Sequence, residues 1–313
     1  MQIVVTGGAG FIGVNLARLY ANTASFVAFD NLSIGRHDDA IEAGFSEVVE
    51  ADIRDADALH DAFSSADCVV HLAAQTGVPN SLIDPWNDLE QNVIGTFRVL
   101  EAAKNNDIQS VVLASSAAPL GSTPPPASEF VVPRPLSPYG ASKLAVEAYA
   151  SAFHGSFDLA TYTLRFSNVY GPWSYLKGSV VALWMRQLLA GEPLQINGDG
   201  TQTRDFVHID DICHAIMLAA NQAGPSGLYQ LGTGIETSVG TLASTMLELF
   251  DMPDTALTYG PPLRADVPRS FCDVTNARTL LGYDPAVKLK DGLVNTKQWF
   301  IDHADEILGA NQS

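Results

Sequence analysis

Apolar residues in the first half of the chain fall into short runs of strand length, at residues 3–5, 25–29, 47–51, 66–72 and 110–114. Between them lie longer stretches in which apolar positions recur every three or four residues, most clearly over 88–105 and 138–153. Runs of strand length that are apolar throughout are buried on both faces, and the amphipathic stretches are the helices that cover them. This alternation predicts an α/β fold with a parallel, doubly wound sheet, whose ligands bind at the carboxyl ends of the strands. The pattern loosens after Leu159. A further strand is expected at 160–166, a helix at 179–190 and a short strand at 194–196. A strand at 204–209 and a helix over 210–222, opened by the capping acids Asp210 and Asp211, should follow. Residues 237–313 read as small helices and strands. Between the fifth strand and the 138–153 helix, seven prolines (Pro119, Pro124, Pro125, Pro126, Pro133, Pro135 and Pro138) exclude a helix. A segment of that kind after a strand end reads as a loop over the ligand site.

The turn after the first run, Thr6-Gly7-Gly8-Ala9-Gly10-Phe11-Ile12-Gly13, fits Gly-x-Gly-x-x-Gly through Gly8, Gly10 and Gly13. It also fits the wider spacing Gly7, Gly10, Gly13. Side chains here would hold the backbone away from a pyrophosphate and the helix away from the strand, while the free amides of the helix N-terminus attract phosphate charge. The second run ends in Asp30, 20 residues past Gly10. An acid there hydrogen-bonds the adenosine ribose hydroxyls and repels a 2′-phosphate, so the expected cofactor is NAD rather than NADP.

Composition adds exclusions. A chain of 313 residues, 47% hydrophobic and 17% charged, is a globular enzyme-sized protein. Its net charge of −18 argues against nucleic acid or an anionic membrane as partner. Cys68, Cys213 and Cys272 are odd in number and set in apolar surroundings, which favours reduced, buried thiols; no Cys/His spacing suits a metal. The first strand begins at Gln2 and no apolar run is long enough to span a bilayer, so a cytoplasmic protein is expected.

The reactive groups stand in Tyr139-Gly-Ala-Ser-Lys143, at the start of the helix after the proline-rich loop, and in the hydroxyl pair Ser115-Ser116 that ends the strand before it. The i, i+4 spacing puts Tyr139 and Lys143 on one helix face. A phenol becomes a useful base near neutral pH only when its pKa falls by about 3 units, or about 4 kcal/mol of preferential stabilisation of the phenolate. A neighbouring ammonium and the positive nicotinamide ring of NAD⁺ act in that direction.

Together these motifs resemble the extended short-chain dehydrogenase/reductase family, in its sugar-nucleotide epimerase/dehydratase branch. The resemblance runs over nearly the whole chain. It includes Asp30-Asn-Leu-Ser33, Asp52-Ile53, His71-Leu-Ala-Ala-Gln75, Asn92-Val-Ile-Gly-Thr96, Asn168-Val-Tyr-Gly-Pro172 and Gly198-Asp-Gly-Thr-Gln-Thr-Arg-Asp-Phe206. It implies a Rossmann-type domain over 1–166, its sheet completed by 204–232, and a smaller C-terminal α/β substrate lobe from 167–203 and 233–313. Ser116, Tyr139 and Lys143 would be catalytic. NAD would be held by Gly7, Gly10, Phe11, Ile12, Gly13, Asp30, Asn31, Ser33, Asp52, Ile53, Leu72, Ala73, Ala74, Gln75 and Ser115, with Tyr139 and Lys143. A nucleotide sugar would be bound by Ser116, Asn168, Ser179, Val180, Gln195, Asn197, Arg204, Arg264, Asp266 and Ser270, and the family implies a homodimer through the helices around 88–105 and 138–153.

Departures narrow the reaction. Dehydratases of this family carry an Asp-Glu pair just after the catalytic serine, and related decarboxylases a Glu; here Ala117 and Ala118 stand there. Without an acid for elimination, the resemblance implies oxidation at C4 and return of the hydride, as in the 4-epimerases of UDP-glucose and UDP-N-acetylglucosamine. A small residue at Ser270 leaves room for a 2-acetamido group. Uronate epimerases usually have Arg-Gln-Arg-Pro after Tyr-Gly-Pro, where this chain has Trp173-Ser-Tyr-Leu-Lys177. A uronate epimerase, a net dehydrogenase or reductase, and a non-catalytic dinucleotide sensor are the competing expectations.

Overall fold

The apolar runs become the strands of one parallel sheet, and the amphipathic stretches become its crossovers. A computed structural model describes residues 1–253, 257–263 and 267–309. β1 (Gln2–Thr6) leads into α1 (Phe11–Tyr20), β2 (Ser25–Asp30) into α2 (His37–Ala43), and β3 (Glu47–Glu50) into α3 (Ala56–Phe63). β4 (Cys68–His71) is followed by α4 (Val78–Ile83), α5 (Pro85–Leu89) and α6 (Gly95–Asn105), then β5 (Ser110–Ser116), α7 (Pro138–Phe157) and β6 (Ala160–Phe166). The chain leaves the sheet through β7 (Asn168–Tyr170), α8 (Val180–Leu189), β8 (Leu194–Asn197), β9 (Thr203–Arg204), β10 (Phe206–His208) and α9 (Ile209–Ala220). It returns with β11 (Gly227–Leu231) and leaves again through β12 (Thr237–Ser238), α10 (Val239–Leu249), β13 (Leu257–Gly260), α11 (Leu289–Asp302) and α12 (Ala304–Gly309).

The seven strands run in the order β11-β6-β5-β4-β1-β2-β3, every pair parallel. Chain order reverses between β1 and β4, which opens the ligand crevice at their carboxyl ends. Alternation along each strand divides the core. Ile3 and Val5 face a layer with Val14, Leu16, Ile212 and Ile216 of α1 and α9. Val4 faces the opposite layer with Leu59, Val99 and Val146 of α3, α6 and α7. The second lobe has its own core, in which Trp184, Met185, Leu242, Met246, Leu293 and Phe300 meet β8, itself paired with β13.

Five local features differ from the sequence expectation. The 204–209 strand is broken at Asp205, whose buried carboxylate accepts from Thr233 N, Thr233 Oγ1 and Gly234 N. The pieces pair elsewhere, β9 with β12 and β10 with β7, so within 204–232 only β11 extends the main sheet. The cap of α9 is His208, whose ring accepts from Asp210 N, while Asp211 turns inward to accept from Ala286 N and Val287 N. Helix α7 runs on to Phe157, supported by an edge contact of Phe153 and Phe157 at 5.1 Å and by Lys104 over the Phe157 ring. The 88–105 helix contains a π turn at Glu90–Ile94, and the proline-rich segment opens with a short 3₁₀ turn at Ala118–Leu120.

Candidate active site

At the end of β1 the chain turns with Gly7 at φ +72°, and a Cβ there would lie 2.6 Å from the Ala73 amide nitrogen. One residue on, Gly8 meets β2 instead, so both glycine spacings read in the sequence have a structural counterpart. Gly13 lets α1 settle against the turn, since its Cβ would fall 2.4 Å from the Gly8 carbonyl oxygen. Gly10 caps α1 with no side chain over the helix end, which leaves the amides around Phe11 and Ile12 open toward the crevice. That cradle fits a dinucleotide pyrophosphate.

At the carboxyl end of β2, Asp30 accepts from Ala9 N (3.1 Å) and Leu32 N (2.9 Å), and burial pushes its carboxyl up. Asn31 receives Ser33 N on its carbonyl oxygen and donates toward Asp52. Arg54 holds the Asp52 carboxylate down at about 2. Ile53 packs where a Cβ on Gly95 would be, which wedges the helical layer against this corner. The Leu72 amide continues β4 by donating to Thr6 O, and Ala73 and Ala74 carry the backbone past the glycine turn. His71 lies between the hydroxyls of Thr6 and Thr96; burial pushes it down to about 3, so it is a neutral structural residue.

The reactive side chains come from β5 and the first turns of α7. Pro138 pre-sets the first turn of α7 and the Ser137 hydroxyl caps it, accepting from Gly140 N. This places Tyr139 against Ser116, whose hydroxyl accepts from Ala118 N at 3.2 Å and opposes the rise of the phenol. Lys143 is buried and donates to the Ala114 carbonyl at 2.9 Å. In the ligand-free protein burial pushes the Tyr139 phenol up to about 12, and nearby Asp88 adds to the rise. The lysine, brought down by burial to about 8 and supported by Asp88 and Glu147, is engaged by a backbone carbonyl.

Ser115, the neighbour of Ser116, points to the other side of the strand. Its hydroxyl donates to Glu147 at 2.6 Å, and Glu147 takes Arg165 on both oxygens at 2.7 Å. Contact between Ser115 and a cofactor is therefore left to its backbone. Asn92, quoted in the sequence only as part of a motif, is a residue the sequence reading did not place in the site. Within the π turn, its amide accepts from Gln75 N and donates to Gln75 O, Asp88 and Ser142, clamping the loop after β4 to the base of α7.

On the substrate side, Ala117 N donates to Phe166 O, and Asn168 N donates to Asp205 O, so Asn168 emerges beside the end of β5. Ser179 caps α8 without a side-chain cap bond, and its buried hydroxyl has no partner among the described residues; Val180 starts the helix. Gln195 and Asn197 share the outer face of β8, with Leu194 and Ile196 buried beneath. Arg204 donates to the carbonyls of Thr203 and Val267, and Ser270 N donates to Thr203 O, which brings Arg204 and Ser270 together. Arg264 and Asp266 lie outside the described residues. No acid follows Ser116: Ala117 and Ala118 lead straight into the 3₁₀ turn. Among the described residues no cluster of His, Cys, Asp and Glu suits a metal, and no helix is long and apolar enough to cross a membrane.

Residues 3–232 match the model of the NAD-dependent epimerase/dehydratase family. A UDP-glucose 4-epimerase of Mycolicibacterium smegmatis is 40% identical over 310 residues, covering 96% of this chain and 98% of that protein. The structure is similar to that of the Thermotoga maritima UDP-glucose 4-epimerase with UDP-glucose, with a TM-score of 0.92 at 34% identity over 97% of this chain and all of that one. The Thermus thermophilus UDP-glucose 4-epimerase in complex with NAD superposes with a TM-score of 0.89 at 32% identity, covering 96% and 99% of the two chains. With this match over the nucleotide turn, the Ser116–Tyr139–Lys143 group and the full length of the sheet, the chain belongs to the NAD-dependent epimerase/dehydratase family.

Proposed function

We propose that this protein is an NAD-dependent nucleotide-sugar 4-epimerase acting on UDP-hexoses, UDP-glucose and UDP-galactose first and the N-acetylhexosamine pair as well. The observation that carries this reading is a complete Ser116, Tyr139 and Lys143 group followed by Ala117 and Ala118, a site equipped for proton transfer at one hydroxyl and not for elimination. The relatives above, named as UDP-glucose 4-epimerases, support the same substrate class.

NAD bound along the cradle of Gly7, Gly10 and Gly13 supplies a hydride acceptor and donor and a positively charged ring. The protein does the rest. Asp30 takes the adenosine ribose, and Lys143 orients the nicotinamide ribose. Ser116 holds the sugar 4-oxygen while Tyr139 accepts its proton and later gives it back. Asn168, Ser179, Val180 and Arg204 hold the diphosphate, about which the keto sugar turns its opposite face to the cofactor. Gln195 and Asn197 border the base, and Ser270 lies by the 2-substituent. NMR of the purified protein incubated with UDP-glucose, and separately with UDP-N-acetylglucosamine, tests this. Galacto-configured product without net NADH is expected; accumulation of NADH with no epimer overturns it.

Two variants probe the ligand assignments. Asp30→Asn keeps the shape but removes the charge, so NAD affinity is expected to fall about tenfold to a hundredfold while NADP affinity rises. Titrating both cofactors into stripped protein measures it. Ser270→Tyr is expected to cut kcat/KM for UDP-N-acetylglucosamine by at least about tenfold and to spare UDP-glucose. Unchanged turnover of the N-acetyl substrate removes Ser270 from the pocket wall.

The protein is also proposed to be a homodimer through α5 to α7. Ile94 and Tyr149 are exposed there, with Val93, Phe97 and Leu144 partly covered, and Trp86 and Phe157 extend the apolar face. Sedimentation equilibrium should return twice the mass of the 33.4 kDa chain.

A further inference from the structure

The segment that departs from the related uronate epimerases ends in Lys177, and its side chain reaches back to the cofactor turn. The backbone of 175–177 is pinned by Arg186, which donates to the carbonyls of Tyr175 and Lys177. From there the Lys177 ammonium donates to the Val169 carbonyl at 2.8 Å and lies 5.0 Å from the centre of the Phe11 ring. Val169 adjoins Asn168, and Phe11 is the first residue of α1. The ammonium thus stands where the nucleotide turn meets the substrate side of the crevice, and two residues on lies Ser179, whose hydroxyl has no partner among the described residues.

Among the described residues no carboxylate pairs with it. Burial alone acts on Lys177, lowering it to about 8, with no charged neighbour contributing. The other cations around the first strands are engaged: Arg18 with Asp210, Arg36 with Glu306, Arg54 with Asp52 and Glu90. An ammonium withdrawn from water without a counter-ion is costly, and an arriving anion offsets that cost. In a protein of net charge −18 whose ligands are both polyanions, a cation in this place has an evident use.

We propose that Lys177 is a diphosphate-binding residue, its ammonium turning from the Val169 carbonyl and the Phe11 face to a phosphate oxygen when the crevice fills. Its place on Phe11 favours the pyrophosphate of the cofactor; the diphosphate of the sugar nucleotide has the same chemistry. This rests on the proposed epimerase reading for its ligands but not for its test, which uses no turnover.

The experiment is calorimetric titration of NAD into stripped protein and of UDP into NAD-loaded protein, for wild type, Lys177→Met and Lys177→Arg. Methionine keeps the apolar stem on Phe11 and removes the charge, and Lys177→Arg restores a cation at the same place. The expected result is a loss of about tenfold to a hundredfold in NAD affinity for the Met variant, with substantial recovery in the Arg variant. The same loss in the UDP arm alone also supports the proposal and assigns the site to the diphosphate of the substrate. Unchanged affinities in both arms, with or without a shift in unfolding temperature, overturn it and leave Lys177 a structural cation over Phe11. An inactive epimerase leaves both arms readable.

Discussion

Tyr139→Phe is expected to lower kcat by about a hundredfold to ten-thousandfold, the range lost with a positioned acid–base group. UDP affinity and bound NAD should be retained, because the ring still fills its place between Ser116 and the base of α7. The loss then falls on kcat rather than KM, as for an interaction made in the chemical step. The pH dependence gives a sharper test. In the free protein burial holds the phenol near 12, so it stays protonated through the neutral range and an ultraviolet titration of tyrosinate should show it unionised at pH 10. The base form exists only above the pKa, so activity rises with pH through the tyrosine limb. In the NAD-loaded enzyme that limb should lie several units lower, since the positive ring favours phenolate. The basic limb has the opposite sign. Lys143 is charged only below about 8, so kcat/KM should fall as pH rises past that value. Lys177 titrates in the same range, so this limb is best read in Lys177→Met at saturating NAD. A Tyr139→Phe enzyme with near-normal kcat eliminates the proposed proton transfer.

Arg165→Met should produce the largest loss of stability among the substitutions considered. Arg165 and Glu147 are both buried and joined by two bonds of 2.7 Å, and Glu147 also takes the Ser115 hydroxyl. Removing the arginine leaves a buried carboxylate bonded only to the Ser115 hydroxyl, with the Lys143 ammonium as its remaining charged neighbour, a cost of about 3–5 kcal/mol for a broken buried pair. Urea unfolding should show the midpoint falling with little change in slope. The double variant Arg165→Met/Glu147→Leu should recover much of the loss, because it removes the stranded charge. A double variant no more stable than Arg165→Met assigns the effect to packing. Catalysis should suffer as well, since this pair ties α7, and with it Lys143, to the ends of β5 and β6.

The residues that were legible in advance are those whose function follows from local geometry. The glycine turn, Asp30 at a strand end and Tyr139 with Lys143 one helical turn apart each announce themselves within a few residues, and the structure places them around one crevice. For Ser115 the sequence does not show that its hydroxyl is taken up by Glu147, which leaves only its backbone for a cofactor. In the ligand-free protein burial holds the phenol high and Lys143 is bonded to Ala114 O; the lowering expected from the positive ring belongs to the NAD-loaded state. The broken strand at Asp205 escaped notice because the donors that bend it, Thr233 and Gly234, are remote in sequence.

By itself the amino-acid sequence determined the doubly wound sheet, the dinucleotide turn and the spacing of Tyr139 with Lys143, all carried by short-range periodicity and spacing, while the resemblance to the family gave the alanines after Ser116 their meaning. Tertiary structure alone decided that Asn92 clamps Gln75, that Arg165 neutralises Glu147 beneath the site, and that Lys177 comes to rest on Phe11. These contacts join residues far apart in the chain. Their energies depend on burial and on charges brought together by folding, and neither is written in the local pattern of apolar and polar positions.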